Sequence, residues 1–207
     1  RWVGSSEGNL EKIFRLIPAL GRCIVFIDEA DQTLGKRDSG SGDSGLSGRL
    51  YSMIAQEMSD SDNRGRLMWI LASSRPDLIE VDLKRPGRVD VKIPLLPTTT
   101  VEESGALLRA LLKRFDIVLG AAAMAGMPLP LLLTPGAAEA LAVKVYRLSR
   151  TGPMPPIEAL AQCLEGYQPP VPRDVLEFQM RIAVREATDL KFVPDSLRHY
   201  AVEAVAP

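Results

Sequence analysis

Cys23-Ile24-Val25-Phe26-Ile27-Asp28-Glu29-Ala30-Asp31 is an unbroken apolar run that passes directly into two adjacent carboxylates. Its leading residues are β-branched, aromatic or small, a composition that suits a strand covered on both faces of a parallel sheet, where no polar alternation is needed. The acids then stand at the carboxyl end of the strand. In open α/β sheets ligands bind outside that end, so Asp28 is placed to hold a magnesium ion, directly or through water, and Glu29 to polarise a water molecule. A core strand closing in a solvated Asp-Glu turn satisfies the same nine residues, and only the flanking sequence separates the two readings.

Met68 to Leu71 make a second apolar strand, and Ala72-Ser73-Ser74-Arg75-Pro76-Asp77 follows it without a gap. Asp82-Leu83-Lys84-Arg85-Pro86-Gly87-Arg88-Val89-Asp90 comes next. In this order the segments resemble the AAA+ ATPases, in the AAA branch that gives the group its name. They match a Walker B strand ending in Asp-Glu, a sensor 1 strand ending near Arg-Pro-Asp, and an Arg-Pro-Gly-Arg arginine-finger segment. The resemblance runs from Arg1 to Pro97 and implies the central ATPase domain; beyond Pro97 only a general lid-like helical pattern continues it. By the same resemblance Arg1-Trp2-Val3-Gly4-Ser5-Ser6-Glu7 corresponds to the first pore loop, with Trp2 and Val3 gripping a threaded polypeptide. A disordered end or a helix staple is the alternative reading of a tryptophan at this place. Ser5 or Ser6 can cap a helix carrying Leu10, Ile13, Phe14 and Ile17 at helical spacing, with Pro18 and Gly21 expected to stop it.

No stretch of the 207 residues has the form G-x-x-x-x-G-K-[ST], the loop whose backbone amides and lysine cradle phosphates. Gly35-Lys36-Arg37 is not one. In the family this loop lies upstream of the first pore loop, so the expectation is a chain that begins after the Walker A loop and does not bind ATP tightly by itself. A degenerate module that never had the loop is the competing expectation.

Composition sets wider bounds. Apolar residues make up 46% and charged residues 25% of the chain, as in ordinary soluble globular proteins, and the formal net charge is −1. That balance offers no general attraction to nucleic acid or anionic membranes. The two cysteines, Cys23 and Cys163, read as core thiols and not as a bridge or metal site, which fits a reducing cytoplasm. The uncharged run from Ile117 to Leu133 is shorter than the roughly 20 residues a membrane span needs and is broken by Gly120, Gly126, Pro128 and Pro130. A helix end followed by an apolar loop packed on the helical part is expected there.

The expected fold class is α/β: a parallel-sheet P-loop NTPase core, truncated at its N-terminus, over residues 1–97, then a small all-α lid over 98–207. The first part alternates helix from Ser6, strand Cys23 to Asp28, helix Leu46 to Ser59, strand Leu67 to Ala72 and a short strand Val89 to Ile93. The Gly/Ser-rich stretch between Gly35 and Gly48 is either a second pore loop or a plain surface loop. The lid helices are expected from Thr100 to Phe115, from Thr134, over Ile157 to Leu164, over Val175 to Val184, and over Asp195 to Val205.

The resemblance also implies roles. Asp28 holds magnesium, Glu29 activates the attacking water, and Arg85 and Arg88 reach into the ATP site of an adjacent subunit to stabilise transition-state charge. Two positions depart from the pattern. Ser74 stands where the family has Asn at sensor 1, and its hydroxyl lacks the amide's second functional group. Pro172-Arg173-Asp174 replaces Gly-Ala-Asp in the lid, so Arg173 is either a sensor 2 arginine facing the γ-phosphate or a solvated helix-start residue. His199 reads as a surface residue. The leading expectation is a homo-oligomeric, hexameric ring ATPase that uses ATP and Mg2+ to remodel or unfold polypeptides, with no membrane or nucleic-acid partner. A catalytically silent AAA+ subunit that activates a neighbour is the alternative, and a nucleic-acid-directed motor is the third.

Overall fold

The computed structural model of the chain describes residues 3–35, 44–152 and 154–202. The pore-loop expectation for Trp2, the side chain of Val3 and the stretch 36–43 lie outside the described residues. The chain divides into two compact units: residues up to Pro94 together with those from Arg181 form the first, and Leu95–Met180 the second. Expectation put the division at Pro97 and everything after it in the helical part, whereas the residues from Arg181 onward group with the first unit.

In the first unit, helix α1 (Val3–Leu20) leads into β1 (Cys23–Ile27), which is followed by α2 (Ala30–Leu34), α3 (Ser44–Ser59) and β2 (Leu67–Leu71). β1 and β2 pair in parallel, with Cys23 opposite Leu67 and Ile27 opposite Leu71. A parallel pair needs a crossover, and α2 and α3 supply it. The core lies on one face of the pair: Ala30, Leu34, Ile54, Met58, Ile79 and Leu83 are buried, with Phe14, Ile27, Trp69 and Leu71 packed against them. Phe14 meets the ring of Trp69 edge-on at 6.4 Å.

The other face is bare. Ile24, Phe26, Met68 and Ile70 are 63%, 60%, 59% and 41% exposed, so β1 is not covered on both faces as its composition predicts. The side chains alternate across the sheet, and only the set facing α1–α3 has a partner among the described residues. Val89 to Ile93 likewise does not form a strand, because no neighbouring strand among the described residues pairs with it. Val91 and Ile93 there are 57% and 58% exposed.

Two local expectations for α1 are corrected. Ser5 and Ser6 lie inside the helix, which starts at Val3, and Pro18 lies inside it as well. In the last turn Pro18 deletes only one backbone bond, so the helix continues to Leu20 and ends where Gly21 turns with φ 74°.

The second unit is helical. Thr100 caps α4 (Val101–Leu112) in a capping box with Glu103: the Glu103 N–H donates to Thr100 Oγ1 at 3.1 Å, and the Glu103 carboxylate accepts from the Thr100 N–H. That carboxylate also accepts from Thr99, and these hydrogen bonds hold Glu103 below its ordinary pKa. Thr134 caps α5 (Pro135–Thr151), and α6 (Pro156–Glu165) packs beside it. Leu108, Leu112, Leu141, Val145 and Leu160 form the core, and Ile117, Met124, Leu129 and Leu133 of the apolar run are buried with them. Among the described residues no helix is long and apolar enough to cross a membrane. Cys163 is half-buried in α6, and burial raises its thiol pKa. α7 (Arg173–Glu186) crosses the boundary between the units. The expected last helix is a 3-10 turn at Asp195–Leu197 followed by α8 (His199–Val202), where His199 lies against the Tyr200 ring at 4.1 Å.

Ser104 fixes the apolar run. It is fully buried, donates to the Pro130 carbonyl at 2.7 Å, and lies 2.7 Å from Thr98 Oγ1, which accepts from the Leu133 N–H at 3.0 Å. Replacing Ser104 by Ala removes its hydroxyl and strands the Thr98 hydroxyl and Pro130 carbonyl. A loss of about 1–3 kcal/mol is expected, seen as a lower urea midpoint at unchanged slope; an unchanged midpoint would contradict this.

Candidate functional site at the carboxyl end of the sheet

The ends of the two strands are bolted together. The Ala72 N–H donates to the Ile27 carbonyl at 2.9 Å, and the Ala30 N–H returns a bond to the Ala72 carbonyl at 2.9 Å. Asp28-Glu29 and Ser73-Ser74 therefore leave the sheet side by side. Between the two bonds the chain must reverse quickly enough to bury Ala30 and Leu34, both fully inaccessible. It does so through Glu29, held at φ 49° and ψ 46°. For a residue with a Cβ this left-handed conformation costs about 1–2 kcal/mol, and such strain concentrates at functional sites. The Glu29 N–H donates to Asp28 Oδ1 at 2.9 Å, which steadies the strained peptide. Both acids remain exposed.

A second layer of polar contacts ties the end of β2 to α2. Ser73 Oγ donates to Asp31 Oδ1 at 2.5 Å and accepts from the Arg75 N–H at 2.9 Å. Arg75 then clasps Asp77 through two parallel bonds of 2.9 and 2.8 Å. Ser74 is exposed next to this chain of contacts. Asp31 and Ser73 were not singled out from sequence. Asp31 stands in the decisive nonapeptide, and a third acid one turn of helix from the pair is the signal that could have marked it.

The two arginines of Arg85-Pro86-Gly87-Arg88 are held differently. Arg85 is exposed and pairs with Asp82 at 3.0 Å, a surface contact of little energetic weight. Arg88 donates to Ser59 Oγ at 2.7 Å and to the Asp82 carbonyl at 3.2 Å, so the end of α3 anchors it. Between them Gly87 takes φ 88° and donates its N–H to Asp90 Oδ1 at 2.6 Å. The structure thus brings Asp28, Glu29, Ser73 and Ser74 to one sheet end, while the hydrogen bonds of Arg85 and Arg88 go elsewhere in the unit. Arg173 belongs to the second unit. It opens α7, is 80% exposed, and donates to Glu177 Oε1 at 2.7 Å. Pro172 precedes the helix and accepts the Leu176 N–H at 3.0 Å; it is not at the first helical position.

Among the described residues no group of three or more His, Cys, Asp or Glu is placed to hold a metal ion. Magnesium does not require one. It takes one or two carboxylates, several waters and substrate phosphates. Asp28 uses one oxygen for the Glu29 N–H and leaves the rest of an exposed carboxylate available, so the donors fit that ion.

The Arg75 hydrogen bonds, and then its charge, hold the Asp77 carboxyl below its ordinary value of 3.8. A carboxyl depressed on folding contributes stability that is complete near neutral pH and is lost as pH falls through the lowered folded value. Replacing Arg75 by Gln should move the NMR titration midpoint of Asp77 upward, toward 3.8. An unmoved midpoint would show that Arg75 is not the cause.

The family model of the AAA ATPases, "ATPase family associated with various cellular activities", matches residues 1–97. Peroxisomal ATPase PEX6 of Candida glabrata is 32% identical over 117 residues, covering 56% of this chain and 12% of that protein. PEX6 of Dictyostelium discoideum is 30% identical over 116 residues, covering 56% and 10%. A further D. discoideum protein, named provisionally as the ribosome biogenesis ATPase nvl, is 31% identical over 118 residues, covering 56% and 14%. The matched part is thus 10% to 14% of the length of these relatives.

Proposed function

Because the chain belongs to the AAA ATPase family through residues 1–97, its α/β unit being part of a P-loop NTPase core, we propose that the full-length protein hydrolyses ATP in a ring and uses the energy to remodel polypeptides. The observation that carries the reading is the bolted sheet end, which sets a strained Glu29 and an open Asp28 beside Ser73 and Ser74. Asp28 binds magnesium, directly or through water, and the ion when bound neutralises charge on the phosphates. Glu29 orients a water for in-line attack on the γ-phosphoryl group and receives its proton. Ser74 donates its hydroxyl to that water or to a phosphate oxygen.

The phosphate loop is absent from these 207 residues. It comes from another part of the protein, and the bare face of Ile24, Phe26, Met68 and Ile70 supports this, since a stripe of exposed large apolar residues on a two-stranded sheet calls for a cover. Arg85 and Arg88 serve the ATP site of the adjacent subunit in a hexamer, the helices after Pro97 act as the lid, and Arg173 is its sensor 2 residue. Trp2 and Val3 grip the polypeptide. The cytoplasm is the proposed setting. Relatives named for peroxisomes and for ribosome biogenesis share this portion, so the portion supplies the motor and leaves cargo choice to other segments. In a second reading the subunit is silent and only lends Arg85 and Arg88 to a neighbour.

In the full-length protein Glu29→Gln should retain ATP and nearly abolish turnover. Arg85→Ala with Arg88→Ala should lower kcat by roughly 10³-fold with nucleotide affinity unchanged. Unchanged turnover in Glu29→Gln would remove this residue from its role. No turnover in the wild type, together with loss of a neighbour's activity in the double arginine variant, would favour the silent reading.

A further inference from the structure

We propose that Glu186 and Thr188 are positioning residues for the arginine-bearing segment, setting the reach of Arg85 and Arg88 from a distant stretch of chain. The inference rests on the proposed role of those arginines. Glu186 closes α7, and both residues belong to the same compact unit as residues 84–92. Lys84, immediately before Arg85, places Nζ 2.5 Å from Glu186 Oε1, and Lys92, beyond Arg88, places Nζ 3.3 Å from Oε2. One carboxylate therefore holds a lysine on each side of Arg85-Pro86-Gly87-Arg88.

Thr188 fixes the far side through the backbone. The Lys92 N–H donates to Thr188 Oγ1 at 2.7 Å, the Thr188 N–H donates to the Lys92 carbonyl at 3.1 Å, and Thr188 Oγ1 donates to the Asp90 carbonyl at 3.4 Å. The three charged side chains are only 14% to 29% exposed, unlike the open Arg85–Asp82 pair, so screening weakens them less. Inside the clasp Gly87 turns on Asp90, and Leu83 is fully buried next to Lys84. The arginine segment is thus fixed at both feet, with the exposed Arg85 between them. That is what a transition-state contact across a subunit boundary needs, because about 1 Å of misplacement can cost 10²-fold in rate.

Subunit mixing in the full-length protein tests the idea. An acceptor carrying Arg85→Ala and Arg88→Ala has sound acids but no arginines to give, and a donor carrying Glu29→Gln has arginines but no turnover. Their mixture should hydrolyse ATP at acceptor sites next to donors. Adding Thr188→Val or Glu186→Gln to the donor should lower that mixed-ring kcat at least tenfold, with KM for ATP and the donor's nucleotide retention unchanged, and Thr188→Ser should restore it. Should the Thr188→Val donor fail to assemble, the Glu186→Gln donor carries the test. Full complementation by both altered donors would overturn the positioning role. An inactive parent mixture would instead overturn the arginine assignment, and this inference with it.

Discussion

Two backbone hydrogen bonds, Ala72 N–H to Ile27 and Ala30 N–H to Ala72, hold the rest of the site in place. They carry the ladder one residue past the strands and oblige the chain to turn within Asp28-Glu29. The turn drives Glu29 into the left-handed region, buries Ala30 and leaves both carboxylates facing outward. The contact from Ser73 to Asp31 repeats the same tie with side chains. Strand pairing, helix start and acid placement are therefore one constraint, and a change that loosened the Ile27–Ala72 bond would disturb all of them together.

The arginine segment shows a different economy of contacts. It has no regular secondary structure beyond the 3-10 turn at Val81–Lys84, and it is held by what lies at its feet: Ser59 of α3, Glu186 at the end of α7, and Thr188. Of these, Glu186 and Thr188 lie roughly a hundred positions further along the chain. That the chain from Arg181 rejoins the first unit gives this stretch a structural task separate from the helical unit that precedes it.

Much of this was legible in the sequence because it depends on local pattern. The apolar run into Asp28-Glu29, the Thr100 and Thr134 caps and the 3.6-residue spacing of α4 and α5 are short-range signals, and the elements stand close to where those signals put them. What was not legible depends on long-range partners. Exposure of Ile24 and Phe26 follows from which layers surround the sheet, and the unpaired state of Val89 to Ile93 from the lack of a neighbouring strand among the described residues. The Glu186–Lys84 and Ser73–Asp31 contacts join residues with no pattern linking them. Pro18 was misjudged for a local reason, since a proline in a last turn removes too little to end a helix.

The central claim is that this sheet end works on the terminal phosphate of ATP. A cryo-EM structure of the full-length protein with a slowly hydrolysed ATP analogue and magnesium tests it most directly. The account predicts the γ-phosphate and its ion beside Asp28, a water within hydrogen-bonding distance of Glu29, and the Ile24–Phe26 face covered by the segment that carries the phosphate loop. Nucleotide bound away from Asp28 and Glu29, with that face still open to solvent, would contradict it.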